Sequence, residues 1–449
     1  QGIDEHGLPI YFTTHNNAQA AYTNRTTSLY FGGSIGVNLK GNSSSVINKL
    51  GLWDDGKPLT THQEFGSRIR MNDNNTTITN HATHVAGTLM AAGVNPIAQG
   101  MAFGANLKAW DFNNDIFEMS LASSDLLISN HSYGMLAGWV FNPDRPGTDD
   151  NLKWEWWGDD LVSIVEDYKF GFYDSRAADF DKIALLSPNY LIVKSADNKR
   201  NDYGPPVGTP YYIRNTTQKS TITRLRNDSY GTIPMDANAK NILTVGAIFP
   251  ISKVNPQPAD IKMSSFSSWG PTDDGRIKPD LVSMGVNVTS CSSAANNAYT
   301  SQSGTSVAAP SVSGSLLLLQ EYYGKLNRNA VMRAATLKGV AIHTADESGD
   351  TPGPDYRFGW GLLNIEKAAK FISNSDGVHF MQENSLSQGT TFTQQITAVS
   401  SSPLVITLSW TDPEGTPNAI NQTALNNRQP KLVNDLDLRL IDGNQTSYP

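Results

Sequence analysis

The sequence carries a single cysteine, Cys291, in 449 residues. No intramolecular disulfide can form, so stability has to come from core size or bound ions. The surroundings of Cys291, NVTSCSSAANN, contain no histidine and nothing that would lower the thiol pKa. They read as the setting of a small buried residue rather than of a nucleophile. Long apolar runs are missing too. The longest, LLLL at 316–319, falls far short of the roughly 20 residues a membrane-spanning helix needs. Nor is there a long basic run: the formal net charge is −8 and the pI about 5.5, which argues against nucleic acid or an anionic membrane surface as partner. The chain begins QGIDEHG, with neither an initiator Met nor a charged-then-apolar leader. It is therefore expected to be a mature secreted product that has lost its signal and propeptide.

What is present is ample core-forming sequence, 39% apolar, enough for one large domain and a smaller one. From about 46 to 365, short apolar runs alternate with helix-length stretches. Strands are expected in NKLGLWD (48–54), NLKAWDF (106–112), DLLISNHS (125–132), YLIVKSA (190–196) and NILTVGA (241–247). Such near-continuous runs suit a parallel sheet covered on both faces, an α/β layered domain. The aromatic and charged stretch 135–181 breaks this rhythm and reads as a surface insertion. After about 375 the pattern becomes strict alternation: Leu404, Ile406, Leu408 and Trp410 share one face, as do Leu436, Leu438 and Leu440 opposite Asp435, Asp437 and Arg439. Half-buried antiparallel strands follow, and a jelly-roll-like β-sandwich domain over 376–449, ending incomplete, is expected. Metal ligation by Asp435 and Asp437 is the alternative to a solvated strand face.

In parallel sheets of this kind, ligands bind beyond the carboxyl ends of the strands. Three stretches at or near such ends carry chemistry. LGLWDDGKP ends an apolar run in Asp54 and Asp55, NHATHVAGTLMAAG opens a helix with His81 and His84, and SGTSVAAP opens another with Ser306. A serine hydroxyl is a weak nucleophile until a base takes its proton, and the base works best when a carboxylate holds its other nitrogen. Two histidines three apart also raise a zinc reading, but no Glu follows in the HExxH manner.

Together, DDG at 54–56, HATHVAG at 81–87 and GTSVAAP at 304–310 resemble the motifs of the subtilisin-like serine proteases, in the chain order Asp, His, Ser of that family. The resemblance covers most of 46–370 and implies a three-layer subtilisin-like catalytic domain over 1–375. It implies Ser306 as nucleophile, His81 as general base and acid, Asp54 as the orienting carboxylate, and His84 as structural. In YLIVKSADN, residues 196–198 resemble the family's Ala-Gly-Asn, which nominates Asn198 as oxyanion donor and Ala196 and Asp197 as substrate-binding residues. NHSYG resembles the strand whose main chain pairs with substrate, nominating Ser132, Tyr133 and Gly134. Polypeptide substrates are implied, with a cleaved propeptide or a proteinaceous inhibitor as further partners. The family also implies structural calcium; the loops MNDNN, NNDIF and PTDDG offer oxygens, but no ligand set is named. The appended β domain resembles those of a subset of secreted members.

Two glycines of the pattern are replaced. Ala82 follows the base, where a methyl suits a helix start, and Asp197 precedes Asn198, where a carboxylate bears on the pocket for the residue before the scissile bond. The alternative function is a subtilase-fold binding protein with weak or no catalysis, although no member of the Asp-His-Ser set is missing. An acid-active sedolisin relative would need Glu where His81 stands.

Overall fold

The computed structural model describes residues 16–448 except 252, 254–255 and 399–402, together with the backbone at 2–3, 9–10 and 15. Seven strands form one parallel sheet: β1 (Leu50–Asp54), β2 (Ile69–Met71), β3 (Leu107–Asp111), β4 (Ile128–His131), β7 (Leu191–Ser195), β10 (Leu243–Ile248) and β11 (Leu281–Met284). Their order is β11-β10-β7-β4-β1-β3-β2. The five expected strands are all there and occupy its middle. The two that sequence reading passed over, β2 and β11, are its edges. They are only three and four residues long, too short to register as periodic runs.

Six of the helices are α2 (Asn80–Met90), α3 (Asp115–Ala122), α4 (Ser175–Leu186), α5 (Thr305–Leu326), α6 (Ala334–His343) and α7 (Ile365–Ser373); a shorter α1 (Asn17–Thr23) precedes them. The period of two along each strand sorts them into two layers. Leu50 and Leu52, Leu107 and Ala109, and Leu191 and Val193 pack with α2, α5, α6 and α7. Trp53, Trp110 and Ile192 point the other way, against α3 and α4. Full burial of such a side chain stabilises by roughly 1.5–3 kcal/mol. On the second face Trp53 and Trp110 stack at 4.1 Å, and the Trp53 indole donates to Glu118 at 3.0 Å.

The stretch read as an insertion contributes β5 (Trp139–Phe141) and β6 (Trp154–Trp156), which form a small sheet with β8 (Tyr211–Ile213) and β9 (Lys219–Ser220). Trp139, Trp156 and Tyr211 fill its core. Helix α4, inside the same stretch, belongs to the main domain, where Phe180 and Ile183 pack beside Tyr190.

Past 374 the only ladder among the described residues is the hairpin β14 (Leu440–Asp442) with β15 (Gln445–Ser447). The alternation survives as exposure: Leu436, Leu438 and Leu440 are half-buried, while Asp435, Asp437 and Arg439 face water. Leu404, Ile406 and Leu408 are exposed. A sandwich requires a second sheet over these residues, and none covers them among the described residues. Residues 409–434 instead run as a strap over the catalytic layers. Lys240 pairs with Asp412, the Tyr173 hydroxyl accepts from the Gly415 amide at 3.1 Å, and Ala424 is buried beside Phe172 and Met235. Among the described residues Asp435 and Asp437 gather no third ligand; Asp437 lies 3.4 Å from Arg439.

Candidate active site

Asp54 ends β1. It shares the parity of Leu50 and Leu52, which turns its carboxylate toward the helix layer that holds α2. Helix α2 starts with Thr79 as its cap: Thr79 Oγ1 accepts the Ala82 amide at 3.1 Å and donates to Asp55 Oδ1 at 2.5 Å. Asn80 is its first residue, and its Oδ1 accepts from Ser292 Oγ and the Ser293 amide. Ala82 is fully buried there, so the methyl is accommodated.

This start brings His81 Nδ1 to 2.5 Å from Asp54 Oδ1, which also accepts the Asp55 amide at 2.9 Å. Asp54 is wholly buried, His81 is 29% exposed, and Asp54 Oδ2 has no hydrogen-bond partner among the described residues. Burial raises the Asp54 carboxyl above the ordinary carboxylate range, against the pull of His81. Burial alone would push the His81 imidazolium down, but the charge and hydrogen bond of Asp54, with Asp55 beside it, outweigh this and raise it to about 9. The two shifts have different causes, burial for the carboxyl and the neighbouring carboxylate for the imidazolium. With Nδ1–H fixed on Asp54, Nε2 is the nitrogen left to accept a proton. His84 behaves oppositely. It is buried, with Nε2 on the Val288 carbonyl at 2.9 Å, and burial lowers it to about 4. It is a neutral structural residue, as the resemblance implies.

Ser306 lies in the first turn of α5, whose leading N–H groups have no carbonyl partners within the helix. Two neighbouring strand ends converge on it. Ser132, just beyond β4, donates to the Ser306 carbonyl at 2.8 Å and accepts from Asn130, whose Oδ1 in turn accepts from Ser313 on α5. Asn198, just beyond β7, accepts on Oδ1 from the Thr305 amide at 2.8 Å and from Thr305 Oγ1 at 3.1 Å. That leaves Asn198 Nδ2 and the Ser306 amide as donors without a partner among the described residues. Gly304 leaves a gap between them: a carbon at its absent β position would stand 2.8 Å from Ser306 Oγ, 3.4 Å from Asn198 Nδ2 and 3.6 Å from Ser306 N. An atom in that gap meets a hydroxyl and two donors at once. Among the described residues, Ser306 Oγ and His81 Nε2 form no hydrogen bond; such contacts are often long without substrate.

The Ser132 hydroxyl is thus engaged on Ser306, and the Tyr133 hydroxyl donates to Asp115 at 2.7 Å. The Tyr133 carbonyl is held by Lys194 at 2.7 Å. Gly134 is exposed, and neither its N–H nor its C=O makes a backbone hydrogen bond among the described residues. Gly134 is the most exposed of the three, with both backbone groups open to an added chain.

Sequence reading missed the group beneath this strand. Lys194, fully buried, lies 3.4 Å from Asp236 and 4.2 Å from the Tyr133 ring; Arg176 bridges Asp236 at 3.6 Å and Asp115 at 2.6 Å. Two cations meet two carboxylates, as buried charge requires. A lysine inside the apolar run YLIVKSA was the available signal.

The loops expected to offer calcium oxygens use most of them locally, Asp273 Oδ2 of PTDDG being buried without a hydrogen-bond partner among the described residues. Asp73 accepts the Asn75 and Asp111 amides, Asp111 the Asn113 amide and the Asn75 side chain, and Asp274 pairs with Arg276. Among the described residues, Asp54, Asp55 and His81 are the only three His, Cys, Asp or Glu side chains whose donor atoms converge within 4.8 Å. Cys291 is buried, which raises its thiol pKa, and is inert as expected.

The profile of the subtilase family, Peptidase S8, matches residues 54–361, which span every group described above. The chain belongs to the subtilase family. This subtilase is 41% identical over 325 residues to the C5a peptidase of Streptococcus pyogenes serotype M3, covering 71% of this chain and 24% of the relative. It is also 38% identical over 88 residues to the PII-type proteinase of Lactococcus lactis subsp. cremoris, covering 20% of this chain and 4% of that one. The chain therefore spans about a quarter or less of the length of these relatives. Its fold matches the CspB protease of Clostridium perfringens at 16% identity and a TM-score of 0.54, over 78% of this chain and 97% of the other.

Proposed function

We propose that this subtilase is a serine endopeptidase that hydrolyses polypeptides through an acyl-enzyme on Ser306. Ser306 Oγ attacks the scissile carbonyl carbon while His81 Nε2 takes its proton, and Asp54 holds the imidazolium that forms. The oxygen of the tetrahedral intermediate becomes negative and sits between the Ser306 amide and Asn198 Nδ2, near the N-terminus of α5. Collapse expels the amine, which leaves with the proton from His81; a water activated by His81 then releases the acyl group. The substrate strand lies against Gly134, with Ala196 and Asp197 on its other side.

The observation that carries this reading is the gap at Gly304, flanked by the hydroxyl and both donors; the fixing of His81 Nδ1 on Asp54 supports it. Casein hydrolysis tests it. Activity should be stopped by a serine-directed inhibitor and lost in Ser306→Ala, while persistence in that variant would refute it. With His81 raised, activity should climb with pH above 6.5, reach half its maximum near pH 9 and still be rising there.

Secretion in processed form belongs to the same proposal and is tested by activity in culture supernatant; no helix among the described residues is long and apolar enough to cross a membrane. A structural calcium ion is also proposed, on family grounds and without ligands named, and a chelator that leaves the melting temperature unchanged would remove it. Polypeptide hydrolysis is what carries over from the relatives, rather than any one substrate.

A further inference from the structure

We propose that Asp197 selects Lys or Arg at the residue before the scissile bond. This deepens the peptidase reading and rests on it. Asp197 joins the end of β7 to Asn198 and has φ +74°, a left-handed conformation that glycine adopts most easily and that Asp tolerates better than most residues. Its carbonyl accepts the Ser268 amide at 2.9 Å, and its Oδ1 accepts the Asn198 amide at 2.6 Å, so the side chain is held rather than free to swing. Oδ2 reaches across to the opposite wall. A β carbon on Gly134 would lie 2.7 Å from it. The carboxylate therefore stands between the two chain segments that flank a bound substrate.

Its charge is uncompensated. Among the described residues, no cation lies within ion-pair distance of Asp197. The neighbouring cations are engaged elsewhere: Lys199 lies 3.7 Å from Asp202, and the Arg200 guanidinium stacks on Trp269 at 3.2 Å and donates to the Asp228 carbonyl. Asp202 adds a second carboxylate nearby and opposes any other source of balance. Behind Asp197, Ala196, Ile233 and Ala237 form a small buried apolar cluster. That cluster is closed to solvent and seats the loop, so it is the fixed, unpaired carboxylate, itself part-exposed, that matches a side chain with a cationic end.

Asp197→Asn removes the charge while keeping the left-handed tolerance and the acceptor for Asn198; Asp197→Gly also removes the bulk. Both variants would first be shown to melt like the parent. Peptides differing only at the residue before the cleaved bond would then be compared. The parent should favour Arg and Lys over Leu by about 10- to 100-fold in kcat/KM, and both variants should bring that ratio near one. A parent ratio near one, or a ratio that Asp197→Asn leaves unchanged, overturns the proposal. A second arm needs no turnover: in the Ser306→Ala protein, hexapeptides ending in Arg should bind at least about ten-fold tighter than those ending in Leu, and adding Asp197→Asn should erase the difference. Equal binding of the two peptides overturns the proposal even if casein is cleaved. Absence of cleavage alongside Arg-selective binding overturns the peptidase reading instead and leaves the charge assignment supported.

Discussion

Residues 50–373 and the strap at 409–434 are held by different physics. In the first region, runs such as LGLWD and LIVKS are buried on both faces of a sheet, and the polar groups at their ends are aimed by strand parity and helix starts. In the second, hydrophobic side chains contribute little burial, and attachment comes from a few polar contacts, chiefly Lys240 with Asp412 and Asn241 with the Asp412 backbone. The core should therefore lose function without losing stability when its site is altered. The strap should lose stability without losing function.

Outside the Asp54, His81 and Ser306 set itself, the largest effect expected from a single site residue is at Asn198. Asn198→Ala should lower kcat about 10²–10³-fold with little change in melting temperature, a range that comes from the corresponding donor in a subtilisin. A comparable loss of stability would break the contrast from the core side. Next comes Asp412→Ala, which strands a nearly buried Lys240. It should cost about 2–4 kcal/mol in urea denaturation, while kcat/KM of the folded enzyme changes less than about two-fold; the reverse pattern would place the strap in the site.

The core should also carry a pH signature that the strap lacks. His84 binds a proton near 6.5 when unfolded but only near 4 when folded. Between those values the unfolded chain holds more protons, so stability should fall as pH drops from 6.5 to 4, by up to about 3 kcal/mol from this residue. Replacing His84 by Asn should flatten that slope in denaturation curves measured across the window. The smallest effect is expected at Leu408, exposed on the strap side: Leu408→Ser should shift stability by no more than about 0.5 kcal/mol, and a larger loss would reveal a covering surface.

Legibility in the sequence followed the same division. The five inner strands and the starts of α2 and α5 could be read because burial on both faces leaves continuous apolar runs and because the motif residues sit where those runs end. The edge strands Ile69–Met71 and Leu281–Met284 escaped because three or four residues give no period. Of the alternation read after 375, the part at 435–440 appears as a facing pattern, Leu436 and Leu438 being more buried than Asp435 and Asp437, while Leu404, Ile406 and Leu408 are exposed. Period alone, however, does not say what a face packs against. Lys194 was visible as a charge in an apolar strand, but its partners Asp236 and Arg176 are brought to it by the η-turn at 235–238 and by α4, which no local pattern foretells.

Site-directed labelling of the nucleophile tests the central claim most directly. The protein would be treated with a fluorophosphonate at pH 9, digested, and its peptides weighed, alongside Asp54→Asn and Ser306→Ala. One phosphonyl group should appear on the peptide containing Ser306, far more slowly in Asp54→Asn and not at all in Ser306→Ala. Labelling of another residue, or casein hydrolysis that continues while Ser306 stays unmodified, would contradict the account.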